Sequence, residues 1–278
     1  MRKINFTDEQ QKNIINLYIN QKQSMVNIGA KYQVSKNVIS RVLKENQITY
    51  RNDNHKYKAD YRKFQNIDTE EKAYWLGFIA ADGYVYQRRT DCNAGNFCGV
   101  NISRKDKKHL EKLKEFMNSD VKIVDHIQNE GFSNNTPMSK IIFNSNEMVS
   151  DLINKGIVPR KSLILEPPKI EKEFFLPYIL GYFDGDGSIF LGNNNEFGIS
   201  FVGTKETLEW IKEVLKLDNP LEQKNNVQNN TFYIRCGGIQ KPYFIMKKLY
   251  DSCPLVHLER KYLIYKNLET VVLSRNAK

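Results

Sequence analysis

With 278 residues, 40% of them hydrophobic and 12% aromatic, the chain exceeds one typical domain, falls short of three, and has ample material for a packed core. Its net charge of +10 is uneven: residues 1–66 hold 13 Lys and Arg against 5 Asp and Glu, a local +8, whereas the remainder holds 29 against 27. Such a basic block attracts polyphosphates, nucleic acid before anionic membrane, because neutralising phosphates releases condensed counterions. A membrane span is excluded by the lack of any run of about 18 apolar residues. The opening MRKINFTDEQ lacks the apolar stretch of a secretory signal, so a cytoplasmic or other cell-interior location is expected.

The cysteines (Cys92, Cys98, Cys236, Cys253) fit neither a zinc knuckle nor a small disulfide scaffold and read as reduced thiols. The histidines (His55, His109, His126, His257) are scattered, with no pair at metal-ligand spacing.

In chain order, Thr7 and Gln10 form a capping-box pattern ahead of Ile14, Ile15, Leu17 and Tyr18, which recur at helical spacing. A short helix follows from about Ser24, then a break at Gln33-Val34, then a third helix that Ser35 can cap. The stretch resembles the helix-turn-helix of resolvases and many regulators, with Gln33 where a turn glycine is common. Ile28, Val34, Ile39, Val42 and Leu43 close a small core and leave Lys36, Asn37, Ser40, Arg41 and Lys44 facing out. These are groups that hydrogen-bond base edges and phosphates from a helix in the major groove. Residues 1–46 are thus expected to be a small all-α DNA-binding domain. Residues 47–66, which mix Arg51, Lys56, Lys58, Arg62 and Lys63 with Tyr50, Tyr57 and Tyr61, are expected to be a basic linker able to track a DNA backbone.

The rest of the chain is written twice, as residues 67–170 and 171–278. WLGFIAADG at 75–83 returns as ILGYFDGDG at 179–187. Each copy predicts a helix, an alternating strand (GYVYQ, GSIFL), a hairpin, a second strand (GVNIS, GISFV), an amphipathic helix (KKHLEKLKEFM, KETLEWIKEVL) and two more strands, and closes on RKSLI or RKYLI. The class is α+β.

Gly77 and Ala81, and Gly181 and Gly185, place small residues four apart, which permits two helices to approach closely. Both helices are expected to end on a left-handed glycine, Gly83 and Gly187. If they pack in parallel, Asp82 and Asp186 meet at two negative dipole ends. The remedy for that repulsion is a divalent cation, and an all-oxygen site with room for water suits Mg²⁺. An ordinary Asp-Gly turn explains either copy alone. A calcium loop does not fit, because Asn195 stands twelfth from Asp184.

These residues resemble the LAGLIDADG homing endonucleases in their single-chain, two-motif form, over residues 67–278. The resemblance implies a pseudo-twofold pair of αββαββα units, joined through the motif helices, whose antiparallel sheets make a saddle over double-stranded DNA. It implies that Asp82 and Asp186 bind the divalent cations that cut the two strands. A basic residue per half maps onto Lys161 and Lys261, with Lys169 as a rival in the first half. The sixth motif position is Asp184 in the second copy and Ala80 in the first, an asymmetry that bears on equal cutting of the two strands. Strand residues expected to face DNA are Gln87, Arg89, Asn101, Ser103, Ser200, Tyr233 and Arg235. The expected protein is a monomeric, Mg²⁺-dependent site-specific DNA endonuclease. A non-cleaving transcriptional regulator or an RNA maturase on the same scaffold is the alternative.

Overall fold

The computed structural model describes residues 4, 6–21, 23–48, 57–88, 95–129, 135–191, 197–223 and 230–276. The chain divides into two compact units, Met1–Lys56 and Tyr57–Lys278.

The first unit contains α1 (Asp8–Ile19), α2 (Met25–Lys31) and α3 (Lys36–Glu45). The capping box is present: Thr7 Oγ1 accepts from the Gln10 amide at 3.3 Å and Gln10 Oε1 from the Thr7 amide at 3.0 Å. Ile14, Leu17, Tyr18, Ile28, Ile39, Val42 and Leu43 form its core. Gln33 takes the left-handed conformation (φ 54°), at a cost of about 1 kcal/mol for a residue with a Cβ. Glycine is required four residues earlier, because a Cβ on Gly29 would lie 2.6 Å from the Val34 carbonyl oxygen. Ser35 occupies the N-cap of α3, but its side chain makes no capping bond.

The second unit begins earlier than the sequence suggested. The Asp60 amide donates to the Met117 carbonyl (2.8 Å), the Asp120 amide to that of Lys58 (3.1 Å), and Phe64 is fully buried. The linker reading therefore fails for residues 57–66, where the periodic Lys, Arg and Tyr mask one deeply seated Phe. Arg51 and Lys56 lie outside the described residues.

The first repeat runs α4 (Glu70–Asp82), β1 (Gly83–Tyr86), β2 (Phe97–Ser103), α5 (Lys107–Phe116), β3 (Val124–Gln128), β4 (Thr136–Asn144) and α6 (Asn146–Asn154). The second runs α7 (Phe175–Asp186), β5 (Ser188–Leu191), β6 (Phe197–Gly203), α8 (Lys205–Leu215), β7 (Leu221–Gln223), β8 (Phe232–Gly237), α9 (Gln240–Ser252) and α10 (Glu259–Asn276). Their antiparallel sheets have equivalent orders, β1-β2-β4-β3 and β5-β6-β8-β7. Strand alternation sets the faces: Cys98, Val100, Ile102, Ile141 and Phe143 point to the core, Tyr84, Tyr86, Asn101 and Ser103 away from it.

Helices α4 and α7 carry almost no polar face, since every residue from Ala73 to Ala81 and from Pro177 to Asp184 is buried. One side of each packs on the other helix and the opposite side on its own sheet.

Candidate active site

Glycine lets the two motif helices touch at backbone distance. A Cβ on Gly77 would lie 2.0 Å from the Tyr178 carbonyl oxygen, and one on Gly181 would lie 1.9 Å from that of Tyr74. One turn on, a Cβ on Gly185 would meet Ala81 Cβ at 2.3 Å and Asp82 Oδ2 at 3.4 Å. The pairings run in the same direction along both helices, so their C-terminal ends coincide. Gly83 and Gly187 are extended (φ −86° and −77°), which corrects the expected left-handed caps. They are glycine because the departing strand folds tightly over the last helical turn. A Cβ would sit 2.6 Å from the carbonyl oxygen of Ile79 or Phe183.

Asp82 and Asp186 therefore share one end of the helix pair. Crowding by protein, then the charge of Asp186, pushes Asp82 up to about 7 against the pull of Lys261 and Lys161. Asp186 is also raised, by the same crowding, although its side chain keeps solvent access. Among the described residues neither carboxylate accepts a hydrogen bond from the protein, so their oxygens stay available. Among the described residues, no third His, Cys, Asp or Glu joins them at metal-binding distance. The donor set is hard oxygen, short of a full shell, and fits a divalent cation completed by water and a substrate oxygen.

Both predicted lysines are buried at this end. Lys161 Nζ donates to the Ala81 carbonyl at 2.7 Å. Lys261 Nζ donates to the carbonyls of Phe183 (2.6 Å), Asp184 (2.8 Å) and Gly187 (2.5 Å). Each ammonium thus answers the negative end of a motif helix. Burial lowers both, Lys261 to about 8. Lys169, the rival in the first half, is exposed and its amide bonds the Lys155 carbonyl.

Asp184 is 1% exposed, and its Oδ2 accepts from the Tyr74 hydroxyl (2.7 Å) and the Leu258 amide (2.7 Å). Tyr74 Oη also lies 2.9 Å from Nε2 of buried His109, whose pKa burial depresses to about 3. Because Tyr74 gives its proton to Asp184, the neutral imidazole donates through Nε2. Burial is the largest influence on Asp184, raising it to about 6.

A cleft of about 190 Å³ opens beside Asp82, lined by Asn101, Ser103, Asp106, Met138, Gly185 and Arg260 among others. Arg260 bridges to Asp106 at 3.1 Å. Of the predicted strand residues, Asn101 and Ser103 border this cleft. Ser200 pairs its hydroxyl with Ser188 at 2.7 Å, and Arg235 pairs with Glu222 at 3.3 Å over the Tyr233 ring. Gln87 lies beyond the end of β1 and Arg89 outside the described residues. Tyr84 and Tyr86 take the outward positions that the parity assigned to Gln87 and Arg89 missed. Also missed were Asp106, Arg260 and Lys140, which faces out opposite Asn101; the repeated Arg-Lys of RKSLI and RKYLI was the available signal for Arg260.

In the first unit Lys36, Asn37 and Lys44 are exposed on α3 and Ser40 is half-buried. Arg41 is engaged, giving Nη2 to the Ile4 carbonyl at 2.5 Å and lying 3.8 Å from Glu45.

Two αββαββα repeats, the second extended by α10, joined through glycine-faced helices that end in paired acids define the fold of the single-chain LAGLIDADG homing endonucleases. Two solved structures illustrate the likeness. The meganuclease I-SmaMI bound to uncleaveable DNA with a TTCT central four aligns with a TM-score of 0.50 at 12% identity, over 72% of this chain and 89% of that one. The I-LtrWI LAGLIDADG homing endonuclease bound to target DNA aligns with a TM-score of 0.50 at 12% identity, over 78% and 92%. No protein-family model and no curated protein matches the sequence.

Proposed function

We propose that this chain is a divalent-cation-dependent, site-specific endonuclease of double-stranded DNA. The observation that carries the reading is the meeting of Asp82 and Asp186 at adjoining helix ends, each helix end answered by a buried lysine. Both solved structures described above were determined with DNA bound. Among the described residues no helix is long and apolar enough to cross a membrane.

Asp82 and Asp186 would hold the cation, with Mg²⁺ the expected ion for hard oxygen donors. When bound, it supplies Lewis acidity at a phosphate oxygen and lowers the pKa of water. The chain's own contribution is placement. The two carboxylates would supply hard oxygen ligands, and the glycine contacts hold the helix ends that carry them together. Lys161 and Lys261 keep positive charge near the developing phosphorane charge. Their Nζ atoms are engaged with helix-end carbonyls, so they act through field and position rather than by direct contact, a narrower role than the resemblance suggested. Asn101, Ser103, Ser200, Tyr233 and Arg235 lie on outward strand positions suited to DNA groups. Lys36, Asn37 and Lys44, with Ser40 beside them, would present α3 to a major groove.

The test is cleavage of DNA from the gene's own neighbourhood by the purified full chain, in Mg²⁺ or EDTA. Wild type is compared with Asp82→Asn and Asp186→Asn. Cation-dependent double-strand cuts lost in both variants are expected, with site binding retained. Specific binding without a cut under any divalent cation would overturn the assignment.

A further inference from the structure

Each lysine at the helix ends sits on a segment tied to the opposite repeat, and the two ties are chemically different. In the first half, the Lys161–Leu163 turn continues to Leu165, whose carbonyl accepts from the hydroxyls of Thr204 (2.5 Å) and Thr207 (2.9 Å), at the start of α8. In the second half, the entry to α10 is tied across the repeats by Arg260 to Asp106, ahead of α5, and within its own repeat by the Leu258 amide to Asp184. Leu258 stands three residues before Lys261, and the Lys261 amide donates to the Leu258 carbonyl at 3.0 Å. Pinning Leu258 therefore fixes the first turn of the helix that delivers Lys261.

Asp184 is held from the other side by Tyr74 of the first repeat, itself braced by His109. The clamp thus spans the seam. The first half has no counterpart, because the matching motif residue is Ala80 and offers no acceptor. A buried acceptor bonded to one backbone amide and one phenol is a rigid fixture, since removing it leaves both donors unsatisfied.

Resting on the endonuclease reading, we propose that Asp184 is a positioning residue for Lys261, serving the second half alone, so that the two strand cuts have separable requirements. Asp184 borders the cleft beside Asp82, but it is 1% exposed and its Oδ2 is taken up by Tyr74 and Leu258, so its part is to set where the Lys261 ammonium sits. Both hydrogen bonds ask only for an acceptor, so asparagine, whose Oδ1 can accept both, keeps them and alanine does not.

Two measurements on the full-length protein test this. The first needs no catalysis: amine acylation of Lys261 and Lys161, mapped by mass spectrometry, with hydrogen exchange across 256–264. Asp184→Ala should raise Lys261 acylation about tenfold and speed exchange at the entry to α10. Lys161 and the exchange of α4 should stay as in wild type, and Asp184→Asn should remain within about twofold of wild type at Lys261. Equal exposure of both lysines in Asp184→Ala, or failure of Asp184→Asn to protect, would overturn the proposal. The second is strand-resolved cleavage of an end-labelled site in Mg²⁺. Asp184→Ala should accumulate nicked DNA with the same strand intact as Lys261→Met leaves, and Lys161→Met should leave the other. Equal slowing of both strands would overturn it. If wild type cuts nothing, the endonuclease reading fails while the acylation result still decides whether Asp184 seats Lys261.

Discussion

Asp82→Asn should stabilise the cation-free protein at pH 8. Burial and Asp186 lift the Asp82 pKa from 3.8 to about 7. The folded state therefore keeps a proton that the unfolded chain releases near pH 4, and wild-type stability is lost as pH rises from about 4 to 7. At about 1.4 kcal/mol per unit the ceiling is ~4 kcal/mol. The carboxylate is only half-buried and relaxes with water around it, so a gain of ~1–3 kcal/mol is the expected share. For a body of this size that corresponds to a midpoint shift of roughly 2–12 °C. Asparagine forfeits no hydrogen bond here, because the carboxylate accepts none from the described residues. Thermal unfolding in EDTA at pH 8 and pH 4 measures the effect. The gap should open at pH 8 and close at pH 4, where both side chains are neutral. Adding Mg²⁺ at pH 8 should raise the wild-type midpoint and narrow the gap. Equal midpoints at pH 8, or an undiminished gap at pH 4, would refute the account of Asp82 as a strained carboxylate awaiting a cation.

Gly181→Ala should cost more than about 3 kcal/mol in urea unfolding, since its methyl would enter the Tyr74 carbonyl at 1.9 Å and force two packed helices apart. Gly99→Ala, whose methyl would press first on the movable end of the Tyr84 side chain, should change stability by less than about 1 kcal/mol. Deleting residues 1–56 should leave the cooperative unfolding of the second unit intact while weakening DNA binding and flattening its salt dependence by filter binding. Extending the deletion through Phe64 should cost roughly 3–5 kcal/mol by calorimetry, because a fully buried ring is lost. Thr69→Ala should cost about 1 kcal/mol by removing the cap on Lys72, whereas Ser35→Ala, at a cap with no side-chain bond, should be near neutral in the same denaturation assay.

Although α10 was not expected, the two acids, the small residues at Gly77 and Gly181, the order of elements from each motif helix through its four strands, and Lys161 and Lys261 were legible in the sequence. Each is local in cause: helical period, strand alternation and the repetition of a motif survive in one dimension. Three things were settled only by tertiary packing. Gly83 and Gly187 turned out extended, because the constraint on them is the helix turn beneath rather than their own φ. Lys161 and Lys261 turned inward to the helix ends, since a buried ammonium must find acceptors and the unsatisfied carbonyls of α4 and α7 are the nearest. Asp184 met Tyr74 across 110 residues of chain and Leu258 across 74, and Tyr74 met His109 across 35. No sequence period encodes such a meeting; it exists because two glycine-faced helices bring the repeats into contact, and a buried carboxylate at that seam must be matched by whatever donors the fold places there.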